Sequence, residues 1–225
     1  MSLRAIVFDF DGVIANSEPL HYRAYRDVLA EQGVTLTEAD YYAEYLGFDD
    51  VGAFVAVAAR NEIAWSAAHI TALVARKAVI LEALERDVSV LFPGAADAIR
   101  RAAAALPIAI ASGARGEEIR RVLVREDLLS YFTAIVAAED TAVSKPAPDP
   151  YLRVLAQLAP SVRGLRAADC IAIEDSHWGL ESARAAGLRT VAVTNTYPAA
   201  GLTADLTITS LEAMDLDRLG RLCPE

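Results

Sequence analysis

Ile6-Val7-Phe8-Asp9-Phe10-Asp11-Gly12-Val13-Ile14 decides how the rest of the chain is read. A short run of apolar, strand-forming residues ends in two aspartates spaced i, i+2, and glycine follows at once. Period-2 geometry near a strand end points both carboxylates the same way. Gly12 permits backbone angles that other residues resist, so the chain can turn sharply beside them. Two like charges that close repel, which calls for a cation or a shared proton. A hard divalent ion such as Mg²⁺ suits an oxygen-rich setting of this kind. The same residues also fit a buried strand closed by a polar Asp-Gly turn. Alone, the stretch leaves both readings open.

Arg4 to Phe10 is nearly all apolar, as expected of a strand buried on both faces. From Ser17 the period changes: Leu20, Ala24, Val28 and Leu29 recur at helical spacing, and Gly33 stops that helix. Helical stretches follow over Glu38–Leu46, Val51–Ala59 and Ser66–Leu84. In the last, Ile70, Leu73, Val74, Lys77, Ile80, Leu81 and Leu84 share one face. Residues 17–88 therefore read as an inserted all-helical domain, and 1–16 with 89–225 as the host. Beyond the insert, strands at Pro107–Ala111, Ala134–Val136, Cys170–Ile173, Thr190–Val193 and Leu206–Ile208 alternate with helices. Those helices run over Ala95–Ala105, Gly116–Arg125, Asp149–Leu158, His177–Ala186 and Leu211–Leu219. This alternation predicts an α/β fold, a doubly wound parallel sheet with helices on both faces.

At 225 residues the chain fits one large domain or two small ones, and 54% hydrophobic residues suffice for a packed core. A net charge of −10 without any basic run argues against nucleic acid and anionic membranes as partners. An anionic small molecule needs a metal and a few local Lys or Arg to outweigh that field. Cys170 and Cys223 lie far apart in sequence, and Cys170 opens an apolar run, so buried thiols are expected rather than a disulfide. No secretory pattern and no bilayer-length apolar run is present, which makes the cytoplasm the expected compartment.

In open parallel sheets, ligands bind beyond the carboxyl ends of the strands. Four groups of polar residues fall at or just after those ends: Asp9 with Asp11, Ser112, Lys145 in Ser144-Lys145-Pro146-Ala147-Pro148-Asp149, and Glu174 with Asp175. Each has an ordinary alternative: a Ser112-Gly113 turn, a solvated loop lysine, or a Glu174-Asp175-Ser176 cap on the next helix. All four at strand ends together point to one pocket.

The chain resembles the haloacid dehalogenase superfamily, in the branch of phosphoglycolate phosphatases and β-phosphoglucomutases. Asp9-Phe10-Asp11-Gly12-Val13, Ala111-Ser112-Gly113, Lys145-Pro146-Ala147-Pro148-Asp149 and Ile173-Glu174-Asp175-Ser176 through Gly187-Leu188 match its four motifs in order and spacing. The resemblance implies a Rossmann-like core whose helical insert is the cap domain, and a Mg²⁺-dependent phosphatase acting on a small phosphorylated metabolite. It implies Asp9 as nucleophile, Asp11 as acid and then base, and Mg²⁺ on Asp9, the Asp11 main-chain carbonyl and Asp175. Glu174 would bind the ion or orient one of its waters. Ser112 and Lys145 would hold the phosphoryl oxygens, assisted by backbone N–H groups near Gly12 and Gly113. The true dehalogenases of the superfamily lack an acid at the position of Asp11, so its presence favours phosphoryl transfer.

The insert carries fewer signals. His21, in Ser17-Glu18-Pro19-Leu20-His21, and Lys77 match cap positions of the mutases, and Arg115 could serve a substrate anion. Ordinary readings compete: a helix-surface histidine, a lysine snorkelling to water and a solvent-facing arginine. The chain departs from the resemblance at three places: Asn16 where the branch commonly has an aspartate, and, against the mutases, Gly47-Phe48-Asp49-Asp50-Val51 without the cap arginine, and Ala114 and Gly116 after Ser112. The reading is thus a phosphatase for a sugar phosphate or phosphoglycolate-like monoester, a monomer or weak homodimer. Its rivals are a β-phosphoglucomutase-type mutase, a non-catalytic phosphometabolite-binding regulator, and a phosphonate hydrolase using Lys77 as a Schiff base.

Overall fold

The structure, a computed structural model, describes residues 3–46, 48–86 and 88–223. Gly47, part of the segment compared with the mutase cap, lies outside the described residues. The chain divides into two compact units, Met1–Asn16 with Val90–Glu225, and Ser17–Ser89.

The first unit is built on six strands: β1 (Ala5–Phe8), β2 (Ile108–Ala111), β3 (Phe132–Val136), β4 (Cys170–Glu174), β5 (Arg189–Val193) and β6 (Leu206–Ile208). All pair in parallel, in the order β3-β2-β1-β4-β5-β6. β1 runs through the middle, so both of its edges and both of its faces are covered. Its four residues are wholly buried, which accounts for a continuous apolar run where alternation would mark a half-exposed strand. The direction of winding reverses at β1, with β2 on one side and β4 on the other. A crevice at the strands' carboxyl ends is expected at that reversal.

The second unit contains α1 (Glu18–Glu31), the short α2 (Glu38–Asp40), α3 (Asp50–Arg60) and α4 (Ala67–Glu85), and no strand among its described residues. Its own core joins Tyr25, Val28, Leu29, Phe54, Val57 and Leu73 from α1, α3 and α4. Ser66 caps α4 by accepting the His69 N–H, and Asp49 caps α3 by accepting the Gly52 N–H. The stretch Glu38–Leu46 is not one α-helix. After α2 it widens into a π-helix over Tyr41–Tyr45, and Tyr41 and Tyr45 are buried within that turn.

The helices of the first unit are α5 (Ala95–Ala105), α6 (Gly116–Arg125), α7 (Asp149–Leu158), α8 (His177–Ala185) and α9 (Leu216–Gly220). Tyr151, Val154 and Leu158 of α7 bury against the apolar residues of β1, β2 and β3. The periodicity over Leu211–Leu219 resolves into a 3-10 turn at Leu211–Ala213 and α9, because Asp215 accepts the N–H groups of Asp217 and Arg218 and starts a new helix. Both cysteines are free and buried. No described helix is long and apolar enough to cross a membrane.

Ile6 is fully buried between β2 and β4. Ile6→Ala should lower unfolding stability by about 2–5 kcal/mol, read as a fall in denaturant midpoint at unchanged slope.

Candidate active site

β1 ends at Phe8, one residue short of the first aspartate, yet the ladder continues. The Asp9 N–H donates to the Ile173 carbonyl at 2.9 Å, and since Phe8 pairs with Ile173 the register carries Asp9 alongside Glu174. Glu174 is itself the last residue of β4, and Asp175 follows it. The two strands that meet at the reversal of the sheet thus deliver three carboxylates to one place. Ligand oxygens of Asp9, Glu174 and Asp175 all lie within 4.8 Å of one another, and all three residues are buried.

One ammonium group bridges part of this charge. Lys145 Nζ is 3.0 Å from Asp9 Oδ1 and 2.7 Å from Glu174 Oε1. Burial opposes its charge, but the Asp9 and Glu174 carboxylates outweigh that and hold it above the usual lysine range, so it stays protonated. The loop that carries it is anchored from α8, where the fully buried Ser182 hydroxyl donates to the Ala147 carbonyl at 2.6 Å. The Lys145–Pro146 peptide is cis.

Lys145 does not balance the cluster. Burial first, and then the charge of Asp9, raise Glu174 to about 8 and Asp175 to about 7. The Tyr151 hydroxyl donates to Glu174 Oε1 at 2.6 Å, while Glu174 Oε2 is buried without a hydrogen-bond partner. Two glycines leave the carboxylates room: a Cβ on Gly179 would collide with the Glu174 carboxylate, and one on Gly12 with that of Asp175. Gly12 also has φ +76°, which favours glycine. A close carboxylate trio with an orphaned buried oxygen fits a hard divalent cation.

Asp11 sits half-buried in the tight loop that β1 enters, where the Gly12 N–H donates to the Ala15 carbonyl at 2.9 Å. Asn195 clamps the same loop through Nδ2 to the Gly12 carbonyl at 2.8 Å. Ser112 follows β2, buried to 3% exposure. Its Oγ accepts the Ala114 N–H at 3.1 Å, which leaves the hydroxyl proton to donate elsewhere. Gly113 beside it is exposed.

Asp9, Lys145, Glu174 and Asp175 are therefore brought together, with Gly12 against Asp175. Ser176, not Glu174 or Asp175, caps the following helix, accepting the Gly179 N–H at 3.1 Å. Arg115 is exposed and pairs with Glu117 at 3.2 Å. Lys77 does not snorkel: it is 1% exposed, and its Nζ reaches Asp50 Oδ1 at 2.6 Å and His21 Nδ1 at 3.0 Å, all within the helical unit. Three partners escaped the sequence reading: Tyr151, Asn195, and Thr196, whose side chain hydrogen-bonds Asp175. The phenol of Tyr151 on an otherwise apolar face of α7 was the one available signal.

The chain matches the haloacid dehalogenase-like hydrolase family over residues 6–193. It is 32% identical over 209 residues to protein CbbY of Rhodobacter capsulatus, covering 88% of each chain. It is 30% identical over 190 residues to hexitol phosphatase B of Escherichia coli (84% of this chain, 82% of the relative). A CbbY variant from Rhodobacter sphaeroides, solved with xylulose-(1,5)bisphosphate, superposes with a TM-score of 0.79 at 25% identity, covering 94% of this chain and 96% of that one. A β-phosphoglucomutase from Clostridium difficile shares the fold, with a TM-score of 0.83 at 19% identity and coverage of 98% and 96%.

The raised Glu174 and Asp175 give a signed pH effect. Folding lifts both above their ordinary range, so their contribution to stability is whole below about pH 4. It is lost as pH rises through about 7 to 8. A divalent cation held by these carboxylates would replace the lost protons. The rise in Tm on adding Mg²⁺ should therefore be larger at alkaline than at mildly acidic pH, measured by calorimetry at matched ionic strength. An equal rise at both would count against this site.

Proposed function

This chain belongs to the haloacid dehalogenase-like hydrolase family, in its phosphoglycolate phosphatase and β-phosphoglucomutase branch, and is a phosphoric monoester hydrolase; we propose that it is a Mg²⁺-dependent phosphatase of a small phosphorylated metabolite, working through an aspartyl-phosphate on Asp9. The observation that carries this reading is the buried cluster of Asp9, Glu174 and Asp175 joined by Lys145. Asp9, Glu174, Asp175 and the Asp11 main-chain carbonyl would hold Mg²⁺, which when bound would offset the repulsion between substrate phosphate and nucleophile.

Asp9 attacks phosphorus, and the bond from phosphorus to the leaving oxygen breaks. Asp11 gives its proton to that oxygen, then takes one from the water that attacks the Asp9 phosphoryl group. The bond to Asp9 breaks and inorganic phosphate leaves. Lys145, kept protonated by its two carboxylate partners, orients the Asp9 carboxylate and holds a non-bridging oxygen, as does the Ser112 hydroxyl. The helical unit serves as the cap that selects the leaving group. The named relatives include a hexitol phosphatase, which supports a sugar or polyol phosphate as substrate.

Phosphate release from a panel of phosphomonoesters with Mg²⁺ tests the reading. Asp9→Asn should lower kcat by about 10³-fold or more, and Lys145→Ala by about 10²–10³-fold. Chelation should abolish turnover in the unmodified chain. Turnover by Asp9→Asn equal to that of the unmodified chain would remove Asp9 as nucleophile, and isomerised product in place of phosphate would mark a mutase.

A further inference from the structure

β5 lies beside β4 with Ala192 paired to Glu174, so the residues beyond its end at Val193 run out past Asp175. The Thr194 N–H still holds to β6, donating to the Ile208 carbonyl at 3.2 Å. The next three side chains each meet a different element around the carboxylate cluster. The Asn195 amide donates to the Gly12 carbonyl at 2.8 Å. The Thr196 hydroxyl donates to the Asp175 carboxylate. The Tyr197 ring meets that of His177, the first residue of α8, with centroids 5.8 Å apart and planes at 71°. All these residues belong to the first unit, and the reaction steps above use none of the three.

Together these contacts fix the two sides of one close approach. The loop after β1 closes its base with its own main chain. The Ile14 and Ala15 N–H groups donate to the Phe10 carbonyl at 2.8 and 2.9 Å, and the Gly12 N–H donates to the Ala15 carbonyl. The Gly12 carbonyl lies outside that set and is held by Asn195 instead. Gly12 is also the residue whose missing Cβ leaves room for the Asp175 carboxylate. Consecutive residues of one segment thus grip Gly12 and Asp175. Tyr197 anchors that segment, since it also packs against the buried Leu180, Ala192 and Leu202.

Rigidity at this place bears on which cation fits. Mg²⁺ requires near-octahedral oxygens at about 2.0–2.1 Å, whereas Ca²⁺ accepts about 2.3–2.6 Å and a flexible ligand set. A site favours the smaller ion only if its ligands are kept from spreading. We propose that Asn195, Thr196 and Tyr197 are positioning residues that clasp the β1 loop to Asp175, so that the cation site resists widening and is biased toward Mg²⁺ over Ca²⁺. The inference rests on the reading of Asp9, Glu174, Asp175 and the Asp11 main-chain carbonyl as the Mg²⁺ site.

The test is titration calorimetry of the full chain with Mg²⁺ and, separately, Ca²⁺, without substrate and at one pH and ionic strength. Asn195→Ala and Thr196→Val should each weaken Mg²⁺ by about 10–100-fold and Ca²⁺ by less, moving the ratio of the two Kd values toward Ca²⁺. Thr196→Ser keeps the hydroxyl and should keep the unmodified ratio. Thr196 is exposed, so neither change there disturbs the core, and the ratio reports only on folded molecules. A loop with a merely structural role would lower the unfolding temperature and leave the ratio alone. A ratio unmoved in either Asn195→Ala or Thr196→Val, or moved as far by Thr196→Ser, overturns the proposal and leaves the phosphatase reading intact. Binding of neither cation by the unmodified chain would instead remove the Mg²⁺ site, and this inference with it.

Discussion

Three buried carboxylates packed close together, two of them bonded to one lysine, are the constraint around which this molecule is arranged. Asp9, Glu174 and Asp175 repel one another in a setting that screens poorly. Lys145 compensates only part of that charge; burial first, and then the charge of Asp9, raise the Glu174 and Asp175 carboxyls, and one Glu174 oxygen is left without a donor. Such an arrangement is costly to an isolated fold. On the proposed reading, a divalent cation and a phosphoryl group would offset that cost, because the groups that repel one another are those that would hold them.

The sheet supplies the rigidity that this requires. Parallel pairing of β1 with β4 fixes Asp9 beside Glu174 through main-chain hydrogen bonds rather than through flexible side chains. The surrounding small residues matter as much as the charged ones. Gly12 and Gly179 are the spaces into which Asp175 and Glu174 fit, and Ser182 ties down the loop carrying Lys145 from the neighbouring helix. Groups held in this way would need little rearrangement as charge develops in the transition state of the proposed reaction.

The helical unit shows the same chemistry with a different balance. Its lysine is buried and bonded to a carboxylate, and phenols donate to the acids, Tyr25 to Asp50 and Tyr41 to Glu18. The π-turn at Tyr41–Tyr45 belongs to this arrangement, since Tyr41 is the donor to Glu18. One lysine is surrounded by excess acid that awaits a cation. The other is paired with Asp50 inside the helical unit.

The amino-acid sequence determined the alternation of strands and helices, the helical insert, and the four polar groups at strand ends. Each is written locally: an apolar run fixes a buried strand, a 3.6-residue period fixes a helix, and strand ends in a parallel sheet converge. Tertiary structure alone decided who partners whom. Tyr151 reaches Glu174 across 23 positions, Asn195 reaches the Gly12 carbonyl across 183, and Lys77 reaches Asp50 across 27. An apolar helical face gives no sign that a lysine on it will be buried and paired rather than extended to water, because that depends on a carboxylate delivered by another helix. Periodicity reports which face is inward. The identity of the group waiting there is set by packing.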